Sequence, residues 1–220
     1  LQVESGGELV TGANTVSIDL VSDIDGTLTV SNSGTYDCNG LSDIDGTVSI
    51  ATGTYDADGE FNANSGNVTF TAAGNLNLSN TVTDLGTFTK STGTVTYDGG
   101  AQNVLADDYY NLVIDQSGNK TAQGAVNVAN DMTISNSATY LTANYTTTVT
   151  GATSVGAILE VNSSSGIFHA GGGFSASGNI NFSANGILRF ITVSPTSLGT
   201  LDNTEGRVIY KNGATNVLAD

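Results

Sequence analysis

The 220 residues include 21 acidic against 5 basic side chains, a formal charge of −16, with one cysteine and one proline. That charge repels phosphate backbones and anionic headgroups, which argues against nucleic-acid and membrane-surface binding. Lys90, Lys120, Arg189, Arg207 and Lys211 are too few to build a clamp for an anionic substrate, and no apolar stretch approaches the ~20 residues of a spanning helix.

In chain order, a strand is expected at Leu1 to Glu4, a turn at Gly6-Gly7 and a second strand around Thr15 to Asp19. Gly26, Gly46, Gly66 and Gly86 then fall 20 residues apart, and each opens an alternating strand: Thr27 to Val30, Thr47 to Ile50, Asn67 to Phe70 and Thr87 to Lys90. A period of two sends Leu28/Val30, Val48/Ile50 and Val68/Phe70 to one side and Thr or Ser to the other. A second strand follows Gly34, Gly53, Gly74 and Gly93, giving two strands per rung. In the second half Gly166, Gly186 and Gly206 repeat the spacing, and Val126/Val128, Met132/Ile134, Val149 and Ile158 to Val161 supply strands before them. Pro195 marks a loop over Thr192 to Leu198, because proline cannot donate to a ladder.

The halves are copies. Gly86 to Asp107 aligns without a gap on Gly199 to Asp220 with 12 identities in 22 positions, including Val-x-Tyr and Asn-Val-Leu-Ala-Asp in register. Thr29-Val-Ser-Asn-Ser-Gly-Thr-Tyr36 likewise matches Thr133-Ile-Ser-Asn-Ser-Ala-Thr-Tyr140. A short constant period stacks like on like, so the expected fold is all-β, a right-handed parallel β-solenoid of about 20 residues per rung. One continuous body of two homologous units is expected, 1–107 and 108–220, forming part of a longer array. Glycine is expected at the corners because positive φ costs it no Cβ clash.

The run Gly93-Thr-Val-Thr-Tyr-Asp-Gly-Gly-Ala-Gln102, followed by Tyr109-Tyr-Asn-Leu-Val-Ile114, resembles the repeats of very large bacterial cell-surface and secreted tandem-repeat proteins. The resemblance implies an extracellular, adhesin-like or filament-forming β-solenoid and assigns no ligand. The expected function is structural and non-enzymatic: a segment of a fibre or long surface adhesin that self-associates head to tail. The joint is expected at Leu1, Val3, Val208, Tyr210, Val217 and Leu218, since solenoid ends expose unpaired strand edges.

Four candidates for chemistry stand beside that reading. Ser22-Asp-Ile-Asp-Gly-Thr27 and Ser42-Asp-Ile-Asp-Gly-Thr47 would stack Asp23, Asp25, Asp43 and Asp45, a candidate Ca2+ site in an adhesin module that binds calcium or surface glycans. Neither copy has the later bidentate acid of a full calcium loop, so Asx turns with solvated acids are the plainer reading and no cofactor is required. His169, the only histidine, has no coherent Ser and Asp placed for a triad, and reads as a surface residue. Thr27/Thr29, Thr47/Ser49, Asn67/Thr69 and Thr87/Thr89 form an outward ladder of the sort that orders water on ice-binding solenoids, broken in the second half by Ile187/Arg189. Tyr97, Tyr109, Tyr110 and Tyr210 could stack on sugars but at repeat positions read as packing, and the lone Cys38 reads as a structural thiol.

Overall fold

The structure is a computed structural model that describes residues 1–202 and 204–211. It divides into two compact units, Leu1–Gly99 and Gly100–Asp220. Each is wound as a parallel β-solenoid, and among the described residues there is no helix.

Three strands, not two, make each turn of the first unit. Its first face stacks Gln2–Val3, Ser22–Ile24, Ser42–Ile44, Phe61–Asn62 and Val82–Asp84. The second face stacks Glu8–Val10, Thr27–Val30, Thr47–Ile50, Asn67–Phe70 and Thr87–Thr89, and the third stacks Thr15–Ile18, Thr35–Cys38, Thr54–Ala57, Asn75–Leu78 and Thr94–Tyr97. All pairs are parallel, with Thr27 opposite Thr47 and Thr47 opposite Asn67, so the 20-residue glycine spacing is the length of one turn. The first face escapes a search for alternation because two or three residues are too few to show a period. Ser-Asp-Ile, expected as a turn, is a strand with Ser and Ile inside and Asp outside.

The glycine column is real, but its cause differs from the one expected. Only Gly86 of the four has positive φ, at 67°. At Gly46 and Gly66 the constraint is approach between turns: a Cβ on Gly46 would fall into the carbonyl of Gly26, and one on Gly66 into that of Ile44. Left-handed backbone is instead carried by polar corners. Asn32 and Ser33 have φ of 51° and 60°, and their sequence counterparts Asn136 and Ser137 have 47° and 65°, so the repeated Ser-Asn-Ser encodes the same turn twice.

The second unit also has three faces. Gln102–Val104, Gly118–Ala122, Ala138–Leu141 and Ile158–Glu160 begin the first; Asp108–Tyr109, Val126–Val128, Thr146–Val149, Ile167–Ala170, Ile187–Phe190 and Arg207–Tyr210 form the second; Asn111–Ile114, Met132–Ile134 and Thr153–Val155 begin the third. Strand Phe174–Asn181 serves two faces by bending at the corner: Phe174 to Ala176 pair with the third and Asn179 to Asn181 with the first. Strand Ser197–Asp202 follows the same bend one turn on. Pro195 is buried in the loop between strands, as its chemistry requires.

Inside the first unit, the residues facing one another across the lumen change together from turn to turn. Ser22 lies against Tyr36 with their hydroxyls hydrogen-bonded, and Ser42 and Tyr55 hold the same places one turn on. In the next turn the serine becomes Phe61 and the tyrosine becomes Leu76. The aromatic ring thus moves from one wall of the lumen to the other between these turns. Tyr36 and Tyr55 stack with ring centroids 5.1 Å apart, and Phe61 meets Tyr55 edge-on at 5.7 Å. Burial pushes the Tyr36 phenol up to about 12, partly offset by its bond to Ser22.

Candidate functional site

Strand alternation places the four candidate aspartates on the outer surface of the first unit's first face. Asp23 and Asp43 are register partners in one outward column, Gln2, Asp23, Asp43, Asn62, Asp84. Asp25 and Asp45 follow two residues later, exposed at the corner. The expected stacking is therefore present, at the ~4.8 Å separation of neighbouring strands. Among the described residues, however, no three acidic, histidine or cysteine side chains converge into a group able to hold a metal ion. Asp43 holds its proton more tightly than an ordinary carboxyl because of partial burial and then the charges of Asp45, Asp23, Asp25 and Glu60. Val21 and Leu41 stand two residues before Asp23 and Asp43, so each turn presents an apolar residue followed by two acids.

The other two faces of this unit differ in kind. On the second, Thr27, Thr47, Asn67 and Thr87 form one column in register and Thr29, Ser49, Thr69 and Thr89 the next, uncharged throughout. On the third, Asp37 pairs with Asp56; the Asp56 carboxyl is also raised, by burial first and then by Asp58, Asp98 and Asp37, against a hydrogen bond from Asn77.

The cations that looked too few to form a site gather on one surface of the second unit. Ile167, Ile187 and Arg207 form one outward column, His169, Arg189 and Ile209 the next, and Gly171, Ile191 and Lys211 a third. Phe168, Ala170, Leu188 and Phe190, which alternate with them, are fully buried. Arg189 Nη1 donates to His169 Nε2 at 3.2 Å, which requires neutral imidazole with its proton on Nδ1. Burial, then Arg189 and Lys211, holds the His169 pKa below its ordinary 6.5. No carboxylate of the described residues lies within ion-pair distance of Arg189, Arg207 or Lys211. The 20-residue spacing of His169 and Arg189, and of Ile187 and Arg207, was the signal that could have found this patch; counting cations over the whole chain hid it.

Lys120 has the opposite fate. It is fully buried in the second unit, its ammonium donating to the carbonyls of Gln116 at 2.7 Å and Ser117 at 3.3 Å. Cys38 is buried and free, as a structural thiol would be. Tyr97 and Tyr109 are wholly buried, with the Tyr109 hydroxyl donating to Leu105 O at 2.9 Å, so neither offers a ring to a sugar. Tyr210 stacks on Phe190 with centroids 5.2 Å apart.

Of the residues expected at an end-to-end joint, Leu1 is 46 % exposed, Val3 points inward and is buried, and Val208 and Tyr210 are half-buried. Val217 and Leu218 lie outside the described residues. More telling are the inward side chains of the first turn: Leu9, Val16 and Ile18 are half-buried, whereas Leu28, Tyr36 and Cys38, their partners one turn on, are fully buried.

Comparison with protein-family models, with curated proteins and with solved structures finds no match to this chain.

Proposed function

We propose that the chain is a non-enzymatic, load-bearing segment of an extracellular fibre or long surface adhesin of the bacterial tandem-repeat kind, joined end on through exposed turns. One observation carries this reading: among the described residues, the inward side chains of the first turn are less buried than their partners one turn on. Leu9, Val16 and Ile18 reach full burial only if a further turn lies over them, supplied by an adjoining stretch of polypeptide or by another copy. Four of the five exposed large apolar side chains among the described residues, Leu1, Val10, Leu20 and Val21, also fall in that turn. In a solenoid, repeat-to-repeat interfaces supply most of the stability, so each added turn strengthens the stack.

Electron microscopy of the 220-residue protein over a concentration series tests this. Rods that lengthen end to end are expected, and Val16→Lys, which sets a charge on the stacking surface, should stop the lengthening while far-UV circular dichroism stays unchanged. Short monodisperse particles at every concentration would count against the proposal.

The part of the first unit's second face that runs from Thr27 to Thr89, past Glu8 in its first strand, favours a second reading, surface ordering of water at an ice front. Its two columns of Thr, Ser and Asn repeat every strand spacing without a charge from Thr27 to Thr89. Ice-crystal shaping and thermal hysteresis lost on Thr47→Lys would support it; their absence in the unaltered protein ends it.

A further inference from the structure

The basic surface of the second unit has a counterpart in the first. It is a three-by-three lattice whose rows read Ile167, His169, Gly171; Ile187, Arg189, Ile191; Arg207, Ile209, Lys211. The acidic face has rows Val21, Asp23, Asp25 and Leu41, Asp43, Asp45, with Glu60 leading the next. Both lattices are set by the same backbone: one strand spacing of ~4.8 Å between rows and two residues, ~6.7 Å, between columns. Arg189 and Arg207 are diagonal neighbours, one row and one column apart, and so are Asp23 and Asp45, so both diagonals are about 8 Å. On the basic surface Ile187 and Ile209 alternate with the arginines, whereas on the acidic face Val21 and Leu41 form one column beside the four acids. The three cations have no carboxylate partner among the described residues, although the chain has 21 acids.

We propose that the His169, Arg189, Arg207 and Lys211 surface docks on the Asp23, Asp25, Asp43 and Asp45 face of a second copy of this chain. The guanidinium groups of Arg189 and Arg207 meet the carboxylates of Asp23 and Asp45 along the matched diagonals. A lattice of this size covers roughly 300 Å² on each partner, below what stable association needs, so one contact is weak and salt-sensitive and gains strength by repetition. This side-to-side contact is independent of the end-on joint and of where the protein resides.

Charge exchange tests it on the full chain, by sedimentation velocity at low and high salt. Self-association that rises with concentration and is lost in high salt is expected of the unaltered protein. Arg189→Glu with Arg207→Glu should raise the half-association concentration about tenfold or more, and so should Asp23→Arg with Asp43→Arg, since each brings like charges together. Mixing these two variants should restore association to within about threefold of the original, because the reversed patch of one then meets the reversed face of the other. Val16→Lys should leave the salt-sensitive part of the association unchanged while removing end-on lengthening, which separates this contact from the end-on joint. The proposal is overturned if the unaltered chain stays monomeric at low salt, or if the mixture of folded variants fails to associate. It is equally overturned if the unaltered chain binds polygalacturonate through Arg189 and Arg207 and remains monomeric, since the occupant is then an anionic glycan.

Discussion

The two units are wound alike and charged differently. Residues 1–99 carry 13 acids and 1 base, a net of −12, whereas residues 100–220 carry 8 acids and 4 bases, a net of −4. In the first unit acids stack on acids along the turns, Asp23 on Asp43 and Asp37 on Asp56. In the second, one base is drawn wholly inside as Lys120 and the other three share one outer surface. The winding is fixed by what faces the lumen and the corners; the outward positions are free to take any charge, and that is where the units have diverged.

The largest effect should come from the corners. Gly46→Ala drives a methyl into the Gly26 carbonyl and should destabilise the first unit by at least ~3 kcal/mol, whereas Gly173→Ala in the second unit, with nothing within 4 Å of the added atom, should change stability by less than ~1 kcal/mol. Chemical denaturation followed by hydrogen exchange resolves the two. Equal costs would mean that turn-to-turn approach does not control the winding.

Next in size is a swap across the lumen. Ser42→Phe alone overpacks against Tyr55 and should cost about 2–3 kcal/mol. Adding Tyr55→Leu recreates the Phe61 and Leu76 pair of the following turn, relieves part of the overpacking and should recover about 1 kcal/mol of that loss. A double mutant no better than the single would show that the two positions do not share one volume.

The smallest effect, and the one that separates the units most directly, is the response to acid. Asp43 and Asp56 bind protons more tightly folded than unfolded, so the first unit gains stability as pH falls through their raised values toward the ordinary carboxylate range. His169, faced by Arg189 and Lys211 on one side and Thr148 on the other, binds its proton less tightly folded. Its contribution is present above 6.5 and is lost as pH falls through 6.5 toward the lowered folded value. Hydrogen exchange between neutral and mildly acidic pH should show protection rising in the first unit and falling around strand Ile167–Ala170. Asp43→Asn and His169→Gln should each flatten the slope of their own unit.

Much of the architecture was legible because glycine spacing and period-two alternation report the same turn length. The third strand was not, since Ser22 to Ile24 offers one apolar side chain between polar ones and imitates a turn. The stacking of Asp23 on Asp43 was legible from the repeated Ser-Asp-Ile-Asp-Gly-Thr, and among the described residues no three acidic, histidine or cysteine side chains converge there. The basic surface was missed because its three rows lie 18 or more positions apart in the chain, at His169, Arg189 and the pair Arg207 and Lys211, and become neighbours only once the winding is known.

The exchange of Ser42 and Tyr55 for Phe61 and Leu76 also bears on heredity. A gene of this design can grow or shrink by whole turns through unequal crossing-over, because every junction offers the same hydrogen-bonding edge. Single-codon drift in the lumen is more constrained, because a larger side chain such as Phe61 is accommodated only where its neighbours make room, so these turns should diverge by duplication first and compensated substitution afterwards.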